Sequence, residues 1–358
     1  MGDEIKSSIF AFASVPASLS YCYFIAARIP KGFLRLIFLL PVYYHFTILP
    51  LYMPIIFFRG VSTLFITWLG NFKLLLFAFG RGPLSSDQSM PLHIFIASCA
   101  LPIRTKLPNV NPSSTSSRPS KKKPWFLNLG TEILALFSLF GLAAKYEETV
   151  HPVVVQIAYS CAMFFLIEVL VTLSSSAVRA LVGLELEAPS DEPYLSASLQ
   201  DFWGKRWNLS VTNALRHTIY KPVRSISAVV LGNRSAALPA IFATFLVSGL
   251  MHELIYYYLS GVKPSWEVTW FFVLHGICVV IEMVLKTALG GKWAVPRLIA
   301  APLTLGFVIS TGMWLFFPPL TEMGIDKMVF EEFSCAGEYV KGRLVALCPT
   351  ILGHKSRS

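Results

Sequence analysis

Charge is scarce in this sequence: 14% of its 358 residues are Asp, Glu, Lys or Arg, where soluble domains carry about 25%. That leaves too little charge to coat a globule of this size, which excludes an ordinary water-soluble fold. Acidic residues are the scarcer sign, 20 against 30 basic ones, for a net charge of +10. A basic excess invites a nucleic-acid reading, but the cations fall between apolar runs rather than along one helix face, which excludes it. Loops touching anionic lipid or a phosphorylated cofactor account for them better. The six cysteines form no C-x-x-C pair and show no metal-ligand spacing. Cys22, Cys161 and Cys278 sit in apolar runs as small core residues, while Cys335 and Cys348 could pair in the tail. There is no H-x-x-x-H pair, HExxH, phosphate loop or GxSxG. No metal is expected, and the missing histidine cluster argues against a membrane desaturase or hydroxylase.

What is present is long apolar runs. Hydrophobic residues make up 54% of the chain, and the mean hydropathy is +0.61. Windows of about 20 residues predict spans at 7–26, 36–58, 61–80, 125–144, 152–174, 236–259, 268–289 and 294–317. The chain therefore reads as an all-α polytopic membrane protein of about eight transmembrane helices, a single embedded domain over 1–358. The window 36–58 holds Pro41, Pro50 and Pro54 and is expected to be broken or re-entrant. Residues 91–103 are too short to span and look interfacial. Residues 107–124, rich in Pro, Ser and Lys, read as a mobile cytosolic linker. The acidic start Met1-Gly2-Asp3-Glu4 lacks a cleavable signal, so the first span is expected to direct insertion.

Basic residues cluster in alternate loops. Arg28, Lys31 and Arg35 follow the first span, Arg81 to Lys123 the third, Arg179 to Arg234 the fifth, and Lys286, Lys292 and Arg297 the seventh. The other loops are poorer, so the positive-inside rule puts both termini on the lumenal side.

Chemistry concentrates in two places. Residues 198–224, SLQDFWGKRWNLSVTNALRHTIYKPVR, combine Trp203, Trp207 and Asp201 with Lys205, Arg206, Arg216, Lys221 and Arg224. They predict an amphipathic helix at the interface with both tryptophans on one face; the same residues suit an anionic, partly aromatic ligand such as coenzyme A. His252 and Glu253 lie within the sixth span, where ionisable groups are functional hypotheses by default. Ser248 and Gly249 share the face of His252, and two small residues there would leave room for a substrate. A structural histidine bonded to a neighbouring helix is the alternative. His275 and Glu282 share a face of the seventh span and suggest a supporting pair or simple packing.

The segments SLQDFWGKRWN at 198–208 and SGLMHEL at 248–254, with FKLLLFAFGRGPL at 72–84, resemble the plant wax synthase family within the membrane-bound O-acyltransferases. The resemblance extends over most of the chain. It implies helices around an intramembrane tunnel and acyl-CoA entering from the cytosol. It also implies an endoplasmic reticulum membrane setting, with His252 at the family's catalytic histidine and Asn208 at its polar partner. Two departures stand out: Lys205 where a second arginine is expected, and His217-Thr218 where Pro-Thr is expected, which would let that helix run on.

Transfer from a thioester to an alcohol needs a base for the hydroxyl proton. Imidazole, with an ordinary pKa of about 6.5, suits that role. Asn208 would orient substrate or polarise the carbonyl, and direct transfer needs no Ser or Cys nucleophile. Asp201, Trp203, Lys205, Arg206 and Trp207 are the expected substrate-binding residues. No permanently bound cofactor is expected, only acyl-CoA as co-substrate and a lipid alcohol as partner. A fatty alcohol giving a wax ester is the first reading, a sterol or diacylglycerol the alternative. A transporter is the rival from another class, but it predicts repeated halves, and no repeat is present.

Overall fold

A computed structural model of the chain describes residues 2–85, 90–102, 125–146, 149–182, 187, 190–290, 295–335 and 337–339. Among them there is helix and no strand. The long helices are α1 (Gly2–Phe24), α2 (Phe33–Ile48) and α3 (Ile56–Ala78). After the short α4 (Leu92–Ala100) come α5 (Trp125–Tyr146) and α6 (Pro152–Val182). Then follow α7 (Leu209–Leu215), α8 (Lys221–Ser235), α9 (Ala237–Ser260), α10 (Glu267–Ala288), α11 (Arg297–Glu322) and α12 (325–335). Seven of these are long and apolar enough to cross a membrane, and α5 adds a shorter apolar stretch, Leu129–Ala143. Every predicted window lands on a helix. The linker at 107–124 and Cys348 lie outside the described residues.

The second window is corrected in its boundaries. Pro50 and Pro54 each remove a backbone N–H close to one another and break the helix here, whereas Pro41 alone is carried inside α2. Accordingly α2 ends at Ile48, a 3₁₀ turn takes Leu49–Tyr52, and α3 starts at Ile56, inside the predicted window. The first N–H groups of α3 would be orphaned. Glu332 of α12 accepts both, from Ile56 at 2.6 Å and Phe57 at 2.9 Å. Glu332, 276 positions from Ile56, is thus the cap of a broken span.

Two cations also turn inward. Arg35, placed among the lipid-facing charges by its loop, is buried and donates to the carbonyls of Ala27, Ile29 and Phe77. Lys73 of α3 is buried and donates to the carbonyls of Ser98 and Leu101 at 2.7 and 2.6 Å, closing the C-terminal end of α4.

The helix pair that carries the histidines packs closely. A Cβ on Gly249 of α9 would lie 3.0 Å from Thr269 Cα, and one on Gly276 of α10 would lie 2.9 Å from Phe245 Cβ. Gly249 therefore serves helix contact, not the substrate room that its place beside His252 suggested. Glu253 accepts the Thr269 N–H at 3.0 Å, so this buried carboxylate caps the first turn of α10.

Candidate active site

A cavity of about 790 Å³ runs between α3, α6, α7, α9, α10 and α11. Four stretches of π-helix touch it: Thr63–Gly70 through Trp68, Phe202–Arg206 through Trp203, Arg216–Tyr220 through Arg216, and Gly312–Phe316 through Phe316. Such under-wound, wider turns are rare and concentrate at functional sites.

His252 lies on the wall of this cavity. Its Nδ1 is 2.7 Å from the Ser248 carbonyl oxygen. A carbonyl only accepts, so Nδ1 carries the proton and Nε2 keeps its lone pair. No described residue hydrogen-bonds Nε2. The ring is held on three sides: it stacks on Phe272 (centroids 4.3 Å, 28°) and stands edge-on to Trp68 (5.1 Å) and Phe316 (5.6 Å). The imidazole is thus fixed in tautomer and orientation, with one basic nitrogen uncommitted.

Asn208 lines the same cavity. It adopts a left-handed conformation, φ 37°, which asparagine tolerates better than most residues. Its Oδ1 accepts the Val211 N–H at 3.3 Å and caps α7. With the oxygen turned toward the Val211 N–H, the amide nitrogen is the donor the side chain offers, and no described residue takes it.

Of the expected binding residues, the structure brings Trp203 and Trp207 to the cavity and leaves Asp201, Lys205 and Arg206 off its wall. The two tryptophans do not share one amphipathic face. Helix Leu199–Asp201 passes into the π-turn Phe202–Arg206, and Trp207 and Asn208 break the run. Trp203 donates its indole N–H to His275 Nδ1 at 3.0 Å, while Trp207 stacks between Phe164 and Phe202 at 5.1 and 5.9 Å. Arg206 is turned into the loop, bonded to Asp201 Oδ2 at 2.9 Å and to the carbonyls of Asp191 and Glu192. Burial disfavours the Asp201 charge, but the Arg206 hydrogen bond and the Ala197 N–H outweigh it and hold the carboxyl below the ordinary aspartate range. Lys205 and Arg216 are exposed, with no ion pair to a described residue, and Arg216 reaches the cavity. From Leu209 to Ser235 the chain stays helical through His217-Thr218, with only Gly232 non-helical inside.

His275 does not pair with Glu282, which instead bonds Lys286 and the Gln200 N–H. Fully buried, His275 accepts from Trp203 at Nδ1 and, through Nε2, donates to Thr311 Oγ1 at 2.9 Å. The Thr311 hydroxyl proton is spent on the Phe307 carbonyl. Both imidazole nitrogens are therefore satisfied, and His275 ties the loop to α10 and α11.

Trp68 was not singled out by sequence, since a tryptophan in an apolar run is indistinguishable from core. Its indole N–H is buried beside His252 with no partner among the described residues. Among the described residues no group of three His, Cys, Asp or Glu side chains is placed to hold a metal.

Residues 187–274, spanning Asn208 and His252, match the model of the membrane bound O-acyl transferase family. Over 94% of its length the chain is 40% identical to acyl-CoA–sterol O-acyltransferase 1 of Arabidopsis thaliana, covering 96% of that protein. It is also 40% identical to a long-chain-alcohol O-fatty-acyltransferase of Simmondsia chinensis, over 96% of this chain and 98% of the relative. A probable long-chain-alcohol O-fatty-acyltransferase 3 of Arabidopsis thaliana is 36% identical over 97% and 99% of the two chains.

Proposed function

The chain belongs to the membrane bound O-acyl transferase family, and from that premise we propose that it moves an acyl group from coenzyme A onto a long-chain fatty alcohol within the bilayer, with His252 as general base. The observation that carries the reading is the Nδ1–H bond of His252 to the Ser248 carbonyl, which leaves a basic Nε2 at the cavity wall.

In the proposed reaction Nε2 takes the alcohol proton as the oxygen attacks the thioester carbonyl. The Asn208 amide N–H donates to the carbonyl oxygen as it gains charge. The C–S bond then breaks, the imidazolium returns its proton to the departing thiolate, and ester and free coenzyme A result. A cavity lined mostly by apolar side chains admits a lipid alcohol and keeps water from the thioester. Acyl-CoA enters beside Arg216 and Trp207, with Lys205 nearby in sequence, from the side that the positive-inside rule makes cytosolic; the membrane in this reading is the endoplasmic reticulum. Arg206, engaged with Asp201, braces that entrance.

A sterol acceptor is the second reading, favoured by the Arabidopsis relative named for sterol acylation, which is as similar as the fatty-alcohol relative from Simmondsia. Expression in yeast lacking neutral-lipid synthesis, fed fatty alcohols and sterols together, separates the two by the ester that accumulates. Wax ester supports the first reading, steryl ester alone replaces it with the second, and no new ester contradicts both.

A further inference from the structure

The proposed reaction gives the acid Glu168 no task. Glu168 lies in α6, where an ionisable group is costly and persists when it has work to do. Its carboxylate accepts the hydroxyl of Ser190, and the same Ser190 oxygen accepts the backbone N–H of Asn208 at 3.3 Å. Neighbouring bonds continue the contact. The Asp191 N–H donates to the Arg206 carbonyl at 2.9 Å, and Arg206 Nη1 returns to the carbonyls of Asp191 and Glu192 at 3.0 and 3.3 Å. Residues 190–192 therefore form a strap along 206–208. Each of the two segments holds a non-glycine residue in the left-handed region, Glu192 at φ 43° and Asn208 at φ 37°. Such conformations persist where the surroundings over-determine them.

The Asn208 conformation has a chemical consequence. With Oδ1 turned back onto the Val211 N–H, the side chain presents its amide nitrogen, a donor, as its free polar group. We infer that Glu168 and Ser190 are positioning residues for acyl transfer: the carboxylate orients the hydroxyl, the hydroxyl pins the Asn208 N–H, and the pinned turn fixes the amide donor at the cavity. The inference rests on the reading of Asn208 as a carbonyl donor. It gives the acid in α6 a task that requires a hydrogen-bond acceptor rather than a charge.

The test uses full-length protein in detergent, with folded amounts matched by size-exclusion chromatography. Misplacing a catalytic group lowers the rate of the chemical step, so Ser190→Ala and Glu168→Leu should each reduce kcat on the order of tenfold, with KM for acyl-CoA little changed. Glu168→Gln, whose amide oxygen still accepts the Ser190 hydroxyl, should retain most of the activity. In an Asn208→Ala background, itself impaired, Ser190→Ala should add no further loss, because its effect passes through the missing side chain. The inference is overturned if Ser190→Ala is fully active, if Glu168→Gln is as impaired as Glu168→Leu, or if Ser190→Ala costs the same factor in both backgrounds. Full activity in Asn208→Ala alone would instead remove the donor reading, and the positioning role with it.

Discussion

The imidazole of His252 lies against the ring of Phe272, centroids 4.3 Å apart and planes at 28°. The two helices can meet this closely because residue 249 has no side chain: a Cβ there would stand 3.0 Å from Thr269 Cα and 3.3 Å from its carbonyl oxygen. Neither atom is the end of a flexible side chain, so the backbone must yield. Gly249→Ala should cost about 1–3 kcal/mol of stability and reduce transfer on the order of tenfold or more by displacing Phe272 from the imidazole. Thermal unfolding in detergent, measured beside turnover, checks both; parent-like values in each would mean that the helix contact is looser than described.

His252 and His275 should separate by what they break. His275→Ala strands the indole N–H of Trp203, and an unsatisfied buried donor costs about 1–3 kcal/mol. The variant should melt earlier yet, below its melting range, keep activity within about tenfold of the parent, the scale of a modest geometric disturbance. An inactive but fully folded His275→Ala would place that residue in the chemistry.

Donor affinity should track the exposed cations and not the engaged one. Arg216→Ala and Lys205→Ala should raise KM for acyl-CoA more than for the alcohol, with kcat little changed. Rising salt should weaken donor use by the parent more than by these variants, since screening removes only the attraction that remains. Arg206→Ala should chiefly loosen the loop, seen as faster proteolysis. If KM for acyl-CoA is unmoved in both variants, the cluster anchors the protein to lipid headgroups instead.

Two sequons, Asn208-Leu209-Ser210 and Asn233-Arg234-Ser235, test the orientation. The loop charges put both on the cytosolic side, so neither should be glycosylated on expression in the endoplasmic reticulum. A mobility shift removed by endoglycosidase and abolished by Asn233→Gln would invert the topology.

How much of this was legible in the sequence differs by kind of feature. Apolar length alone placed every predicted span on a helix, because a helix that meets lipid must be apolar for about 20 residues and the composition cannot hide it. The break near Pro50 was equally visible. What satisfied it was not: Glu332 meets Ile56 and Phe57 from the far end of the chain, and no local pattern encodes that meeting. Loop charge was a good guide in aggregate and a poor one at Arg35, which spends its charge on backbone carbonyls. At the site, the cavity gathers His252, Asn208, Trp203 and Trp207, which sequence had singled out. Their partners were hidden, because Trp203 meets His275 across 72 positions and Trp68 looks like any core tryptophan.

The central claim is that the uncommitted Nε2 of His252 removes the proton of the acceptor alcohol. The direct measurement is the turnover of purified His252→Ala against the parent, at equal folded amounts, with long-chain acyl-CoA and fatty alcohol both saturating. Loss of a general base predicts a fall in kcat of at least about a hundredfold, with the protein still folded and inserted. Turnover comparable to the parent would contradict the account.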